Sequence, residues 1–178
     1  MKIRMIIGCV LAWVGASGHT ATQVYQSPED FVAEMFAGET PPASALWIDA
    51  ELRTKLAEVL GRKPGLRMRY WGAADKTVWI LEEVGKDHPI TAGVAIEGGS
   101  IDEIRVLVFR ESRGWEVKYP FFTRQFHQAR LTRRGLSQNI DGITGATLSV
   151  HAMKRMARAA LLMHENTNHA NTALAAAK

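Results

Sequence analysis

Cysteine is almost absent: the 178 residues contain one, Cys9, and it lies inside an apolar N-terminal run. A single thiol excludes an internal disulfide, a cysteine-based metal site and a Cys-x-x-Cys-His haem attachment. Redox chemistry in this chain would therefore have to come from an organic cofactor or from another protein. An excess of one charge is also missing. The 22 Lys and Arg residues stand against 18 Asp and Glu, a formal +4, which is not a nucleic-acid signature. The Gly-x-Gly-x-x-Gly dinucleotide fingerprint does not occur. Nor is there a Ser-His-Asp spacing, a paired-acid glycosidase arrangement or a metal-hydrolase motif, and these absences weigh against a hydrolase. His164 and His169 are five apart with no supporting ligands, so a metal site is not expected there.

Long apolar runs are lacking apart from residues 5–16, which are too few to span a bilayer. They follow the basic start Met1-Lys2-Ile3-Arg4 and lead into Ala16-Ser17-Gly18, the pattern of a secretory signal peptide. Residues 1–18 are read as that signal, with cleavage near Gly18 and Ala21 as the second choice. An uncleaved anchor is the alternative. Ile6-Ile7-Gly8-Cys9 is only superficially a lipobox, because too short an apolar stretch precedes Cys9. Cleavage would remove Cys9, Lys2 and Arg4, leaving 20 basic and 18 acidic residues. The expected location is periplasmic or otherwise extracytoplasmic, at the membrane if the run is kept.

What remains, within a chain 47% hydrophobic and 22% charged, suits one domain with a sizeable core. Residues 19–76 read as its N-terminal helical and strand segment. Ser27-Pro28-Glu29-Asp30 is a strong helix start, with a cap, a proline in the first turn and acids beside it. Phe31, Val32, Met35 and Phe36 share a face, and Gly38 ends the helix. A second helix is expected over residues 46–60, with Leu52, Leu56, Val59 and Leu60 as its stripe and Gly61 as its stop. From Leu66 the period changes to two. Strands are expected over 66–71, 77–84, 90–97 and 101–109, with a hairpin at Gly98-Gly99. Short turns and no crossover helices imply an antiparallel meander flanked by helices, an α+β fold. A last helix is expected over 148–164, burying Met153, Met156, Ala160 and Met163. Residues 166–178 lack periodicity and read as a disordered tail.

Asp141-Gly142-Ile143-Thr144-Gly145-Ala146-Thr147-Leu148-Ser149 precedes that helix. Gly145 and Ala146 let a bulky ligand approach the backbone. Thr147 and Ser149 fall where a helix presents free N–H groups and the positive end of its dipole, which suits a phosphate. By the residues alone this is a phosphate or nucleotide site with a hydroxyl placed to touch the ligand. The same residues also make an ordinary N-cap and turn.

The stretch resembles the flavinylation motif of the FMN-binding domain family, whose members include flavin-carrying subunits of the sodium-translocating NADH:quinone reductase and of the Rnf-type electron-transfer complex. Asp141, Gly142, Ile143, Thr144, Gly145, Ala146 and Thr147 follow its pattern of Asp, two free residues, Ser or Thr, then Gly-Ala-Thr. The resemblance covers roughly residues 77–165, read as the FMN-binding domain. It implies FMN carried on Thr147 through a phosphoester, installed by a flavin transferase that recognises a motif including Asp141 and Thr144. Cofactor contacts are expected from Thr144, Gly145, Ala146, Thr147 and Ser149, together with Asp141. Glu111-Ser112-Arg113-Gly114 stands where the family commonly has Glu-Thr-Pro-Gly. Glu111 and Gly114 match, whereas Ser112 and Arg113 depart. The loop is expected against the flavin, with Arg113 either placed to stabilise an anionic flavin state or an ordinary solvated loop residue. The aromatic segment from Trp115 to Phe126 would wall the ring or be core. The clusters Arg130, Arg133, Arg134 and Lys154, Arg155, Arg158 would balance the phosphate, dock an acidic partner or form solvated faces.

The function implied is an exported electron carrier that relays electrons between a membrane donor and an extracytoplasmic acceptor, with membrane or periplasmic redox partners and no nucleic acid. A flavin-dependent reductase subunit acting directly on a small substrate is the alternative. A non-redox module that kept the fold is a third reading, against which the intact Thr147 argues.

Overall fold

The computed structural model describes residues 22–170. The apolar N-terminal run, its expected cleavage site and residues 171–178 lie outside them. The chain enters through a two-residue edge strand, β1 (Gln23–Val24). Helix α1 (Pro28–Met35) starts as its sequence demands: the Asp30 amide donates to Ser27 Oγ at 3.0 Å, and proline sits in the first turn. Then come β2 (Ala43–Trp47), α2 (Ala50–Leu60), β3 (Arg67–Ala73), β4 (Lys76–Val84), β5 (Pro89–Glu97) and β6 (Ser100–Phe109). A 3₁₀ turn (Trp115–Lys118), the short helix α3 (Pro120–Thr123) and a second 3₁₀ turn (Arg124–Phe126) follow. The hairpin strands β7 (Leu131–Thr132) and β8 (Gly135–Leu136) then precede α4 (Thr147–Glu165).

The six-stranded sheet runs β1-β6-β5-β4-β3-β2, every neighbouring pair antiparallel. The meander over β3–β6 forms because tight turns leave no room for crossovers. Gly98 and Gly99, at φ 57° and 74°, supply the two left-handed positions that a two-residue hairpin turn requires. Period two then sorts the side chains. Trp79 and Leu81 join the large core beneath α2 and α4, while Val78 and Ile80 face a smaller cluster around Phe31 and Val32 of α1. The α+β reading thus stands, as an open antiparallel sheet with helices on both faces. Met153, Met156, Ala160 and Met163 of α4 are all buried.

Several elements differ from the sequence reading. The helix expected over residues 46–60 begins only at Ala50, because Asp49 Oδ1 accepts the Leu52 amide at 2.8 Å and caps it there. Ala43–Trp47 is instead an edge strand on β3, and Leu46 and Ile48 are buried. A capping side chain outweighs apolar spacing when the two conflict. Gly61 stops the helix as expected, at φ 68°. The short strands β1, β7 and β8 carry no periodicity and so left no signal. Within residues 166–170, expected to belong to an unordered tail, Thr167 and His169 make contacts to the domain. Thr167 is buried and its hydroxyl donates to the His164 carbonyl at 2.8 Å, and His169 Nδ1 lies 2.9 Å from the Ala74 carbonyl. Among the described residues no helix is long and apolar enough to cross a membrane.

Candidate functional site

Three stretches distant in sequence meet at the N-terminus of α4: the turn 85–88 between β4 and β5, the loop 111–114 after β6, and residues 145–149. They surround a cavity of about 580 Å³ lined by Lys86, Glu111, Ser112, Arg113 and residues 145–149. That volume is in the range of small-molecule sites.

Helix α4 opens onto this cavity without a side-chain cap. Its N-cap is Ala146, which has no side-chain oxygen to offer the first amides. Those amides and the dipole of a 19-residue helix put partial positive charge at the cavity wall. Thr147 is the first residue inside the helix rather than its cap. It is exposed, and its hydroxyl bonds to none of the described residues. Gly145 is left-handed at φ 82°, a conformation that favours glycine. Among the described residues, apart from its chain neighbours, no atom lies within 4 Å of where its Cβ would stand, so the backbone is open to a ligand on that side. Ser149 is buried and completes the wall.

Asp141 and Thr144 do not line the cavity; both are exposed on the approach to it. The Asp141 amide donates to Gln125 Oε1 at 2.7 Å, and its carboxylate accepts from Asn139 Nδ2 at 3.1 Å. The seven-residue motif therefore splits into a wall, residues 145–147, and an exposed approach.

Glu111 lies in the lining, yet much of its task is structural. Its Oε1 accepts the backbone amides of Lys86, Asp87 (2.7 Å) and His88 (2.9 Å). One buried carboxylate oxygen thus holds the turn 85–88 against the cavity, and charged acceptors make such bonds strong. The turn delivers Lys86 to the lining. The sequence reading did not single out Lys86, and no local signal marks it, because its position depends on Glu111 far along the chain. Arg113, exposed, is the second lining cation.

The other basic clusters do not line the cavity. Arg130 donates to the Gly98 carbonyl at 3.0 Å, and Arg155 pairs with buried Glu83 at 3.3 Å and ties α4 to β4. The aromatic segment divides. Phe122 and Phe126 are core, edge to face at 5.4 Å; Trp115, Tyr119 and Phe121 are exposed and none lines the cavity.

At the far end of α4, buried His164 places Nδ1 2.7 Å from Thr77 Oγ1, which also accepts Trp79 Nε1–H at 2.9 Å. Burial, aided by neighbouring His169, lowers the His164 pKa from its ordinary 6.5 to about 4, against a small opposing pull from Asp75.

An uncapped helix N-terminus, two cations and a buried hydroxyl around one cavity fit a ligand that carries a phosphate. Residues 85–162 match the model of the FMN-binding domain family. No curated protein and no solved structure matches the chain. The matched segment contains every residue that lines the cavity and α4 down to Leu162, so residues 85–162 are identified as an FMN-binding domain, which supports FMN as the cofactor.

Proposed function

We propose that the protein is an exported electron carrier whose FMN is joined through its phosphate to Thr147 Oγ. It would relay electrons between a membrane donor and an extracytoplasmic acceptor. The observation that carries this reading is Thr147 itself: it stands at the cavity with a hydroxyl free of any capping role, on a helix end suited to a phosphate. The bound flavin would supply the electron chemistry. The chain's own groups hold and orient it. The first amides of α4 and Lys86 balance the phosphate, Glu111 fixes the turn that presents Lys86, and Arg113 adds positive charge to the lining. Joining the ester removes one water relative to free FMN and free threonine. The linkage prevents loss of the cofactor where free FMN is scarce, and it leaves the ring unmodified. Asp141 and Thr144, exposed and outside the lining, are accessible to a flavin transferase that reads the motif.

A reductase acting directly on a small substrate has less support. Among the described residues Glu111 is the only carboxylate in the lining, and one of its oxygens is committed to three amides.

The test is the intact mass of the exported protein co-expressed with a flavin transferase, beside Thr147→Ala. The expected gain is one FMN less one water, absent from the variant. An unmodified mass, with the transferase active on another substrate, would sink the reading.

A further inference from the structure

Among the described residues nine large apolar or aromatic side chains are exposed, and four of them form one connected group: Tyr25, Trp115, Tyr119 and Phe121. Phe121 is 61% exposed, and Trp115 and Tyr119 40% each. Trp115 meets Tyr119 edge to face at 5.7 Å, and Tyr119 lies 6.2 Å from Phe121. The Lys118 ammonium sits among the rings, 4.2 Å from the centre of Tyr25, 5.2 Å from Tyr119 and 5.5 Å from Trp115. It forms no ion pair with a described residue. Glu116, the one acid in the segment 115–121, has its Oε2 buried and makes no ion pair with Lys118 among the described residues. The patch adjoins the flavin cavity: Ser112 and Arg113 line the cavity, Gly114 lies against Ser149, and Trp115 is the next residue.

We propose that this aromatic and cationic patch docks onto the interface of a phospholipid bilayer and so holds the flavin cavity beside the membrane surface. Trp and Tyr favour the membrane–water boundary because one end of each ring system is apolar and the other polar. Phe121 supplies an apolar side chain to insert. Lys118 keeps its stem along the rings and its ammonium near anionic headgroups. Chain entry favours a bilayer over a protein partner. Tyr25 follows the apolar run 5–16 by nine residues, about 30 Å of extended chain at most. A run kept as an anchor would hold the patch within that distance of the bilayer; in the cleaved form the rings and Lys118 alone would bind the anionic headgroups. The purpose of this surface rests on the carrier reading, but lipid binding itself does not depend on flavin loading.

The test is co-sedimentation of the purified exported protein with phosphatidylglycerol–phosphatidylethanolamine vesicles, and with phosphatidylcholine vesicles for comparison. Whatever N-terminus the protein carries is common to all variants. Trp115→Ala combined with Phe121→Ala is expected to lower the partition coefficient about tenfold. Lys118→Gln should lower it about fivefold on the anionic vesicles only. Trp47→Ala, an exposed tryptophan on the opposite edge strand β2, should leave it unchanged. Circular dichroism and flavin content confirm that each variant is folded. Absence of binding, equal binding by wild type and the double variant, or an equal loss on Trp47→Ala would each overturn the proposal. So would patch variants that weaken binding to an acidic redox protein while leaving vesicle binding unaltered.

Discussion

Gly114 lies so close to Ser149 that a Cβ added to it would stand 2.5 Å from the serine hydroxyl oxygen. This contact joins the loop after β6 to the first turn of α4, and the two together form most of the cavity wall. Gly114 also has φ 84°, which disfavours any other residue. Gly114→Ala is therefore expected to be strained twice, with a loss of about 1–3 kcal/mol. It should also bind flavin less well, because the loop must move away from Ser149. Urea denaturation and flavin content measure both. A variant with wild-type values would show that the loop relaxes without cost to the site.

Glu111 and the turn 85–88 provide the second prediction. Removing the carboxylate leaves three amides without their acceptor, so Glu111→Ala should lose about 3 kcal/mol or more, since each hydrogen bond to a charged group is worth about 1.5–3 kcal/mol. Glu111→Gln keeps an acceptor oxygen and should lose roughly half as much. Hydrogen exchange at the amides of residues 86–88 should accelerate in the alanine variant first. Identical losses in both variants would make the charge, not the acceptor, the essential property.

Arg113, itself exposed, places a positive charge in the cavity lining. Arg113→Ala should lower the flavin midpoint potential by the equivalent of ~0.2–1 kcal/mol, the range of an exposed charge interaction. The difference should shrink at high salt as screening increases. A potential unchanged at low salt would place the guanidinium outside the electrostatic reach of the ring.

His164 makes stability depend on pH. Its folded pKa, about 4, lies below its ordinary 6.5, so between those values the unfolded chain binds the extra proton. Its stabilising contribution is full above pH 6.5 and is lost progressively as pH falls toward 4, by a total on the order of 3 kcal/mol. Carboxylates titrate over part of the same range. The measurement is therefore the difference between wild type and His164→Gln in unfolding free energy across pH 4–7. A flat difference would mean that His164 takes up its proton without disturbing the contact to Thr77.

Local rules determined much of this protein. Ser27 and Pro28 start α1 and Gly61 stops α2, because caps and left-handed glycines act within one turn of chain. The four meander strands follow from period two and tight turns. The motif at residues 141–147 marked the family by residue identity alone. Interactions across the chain decided the rest. Asp49 and β3, not apolar spacing, set where β2 ends and α2 begins. Asp141 stands outside the cavity lining, its amide held by Gln125, 16 residues earlier. Lys86 enters the site only because Glu111, 25 residues later, holds its turn. A cavity wall is assembled from segments that meet only in the folded state, and local sequence carries no record of their meeting.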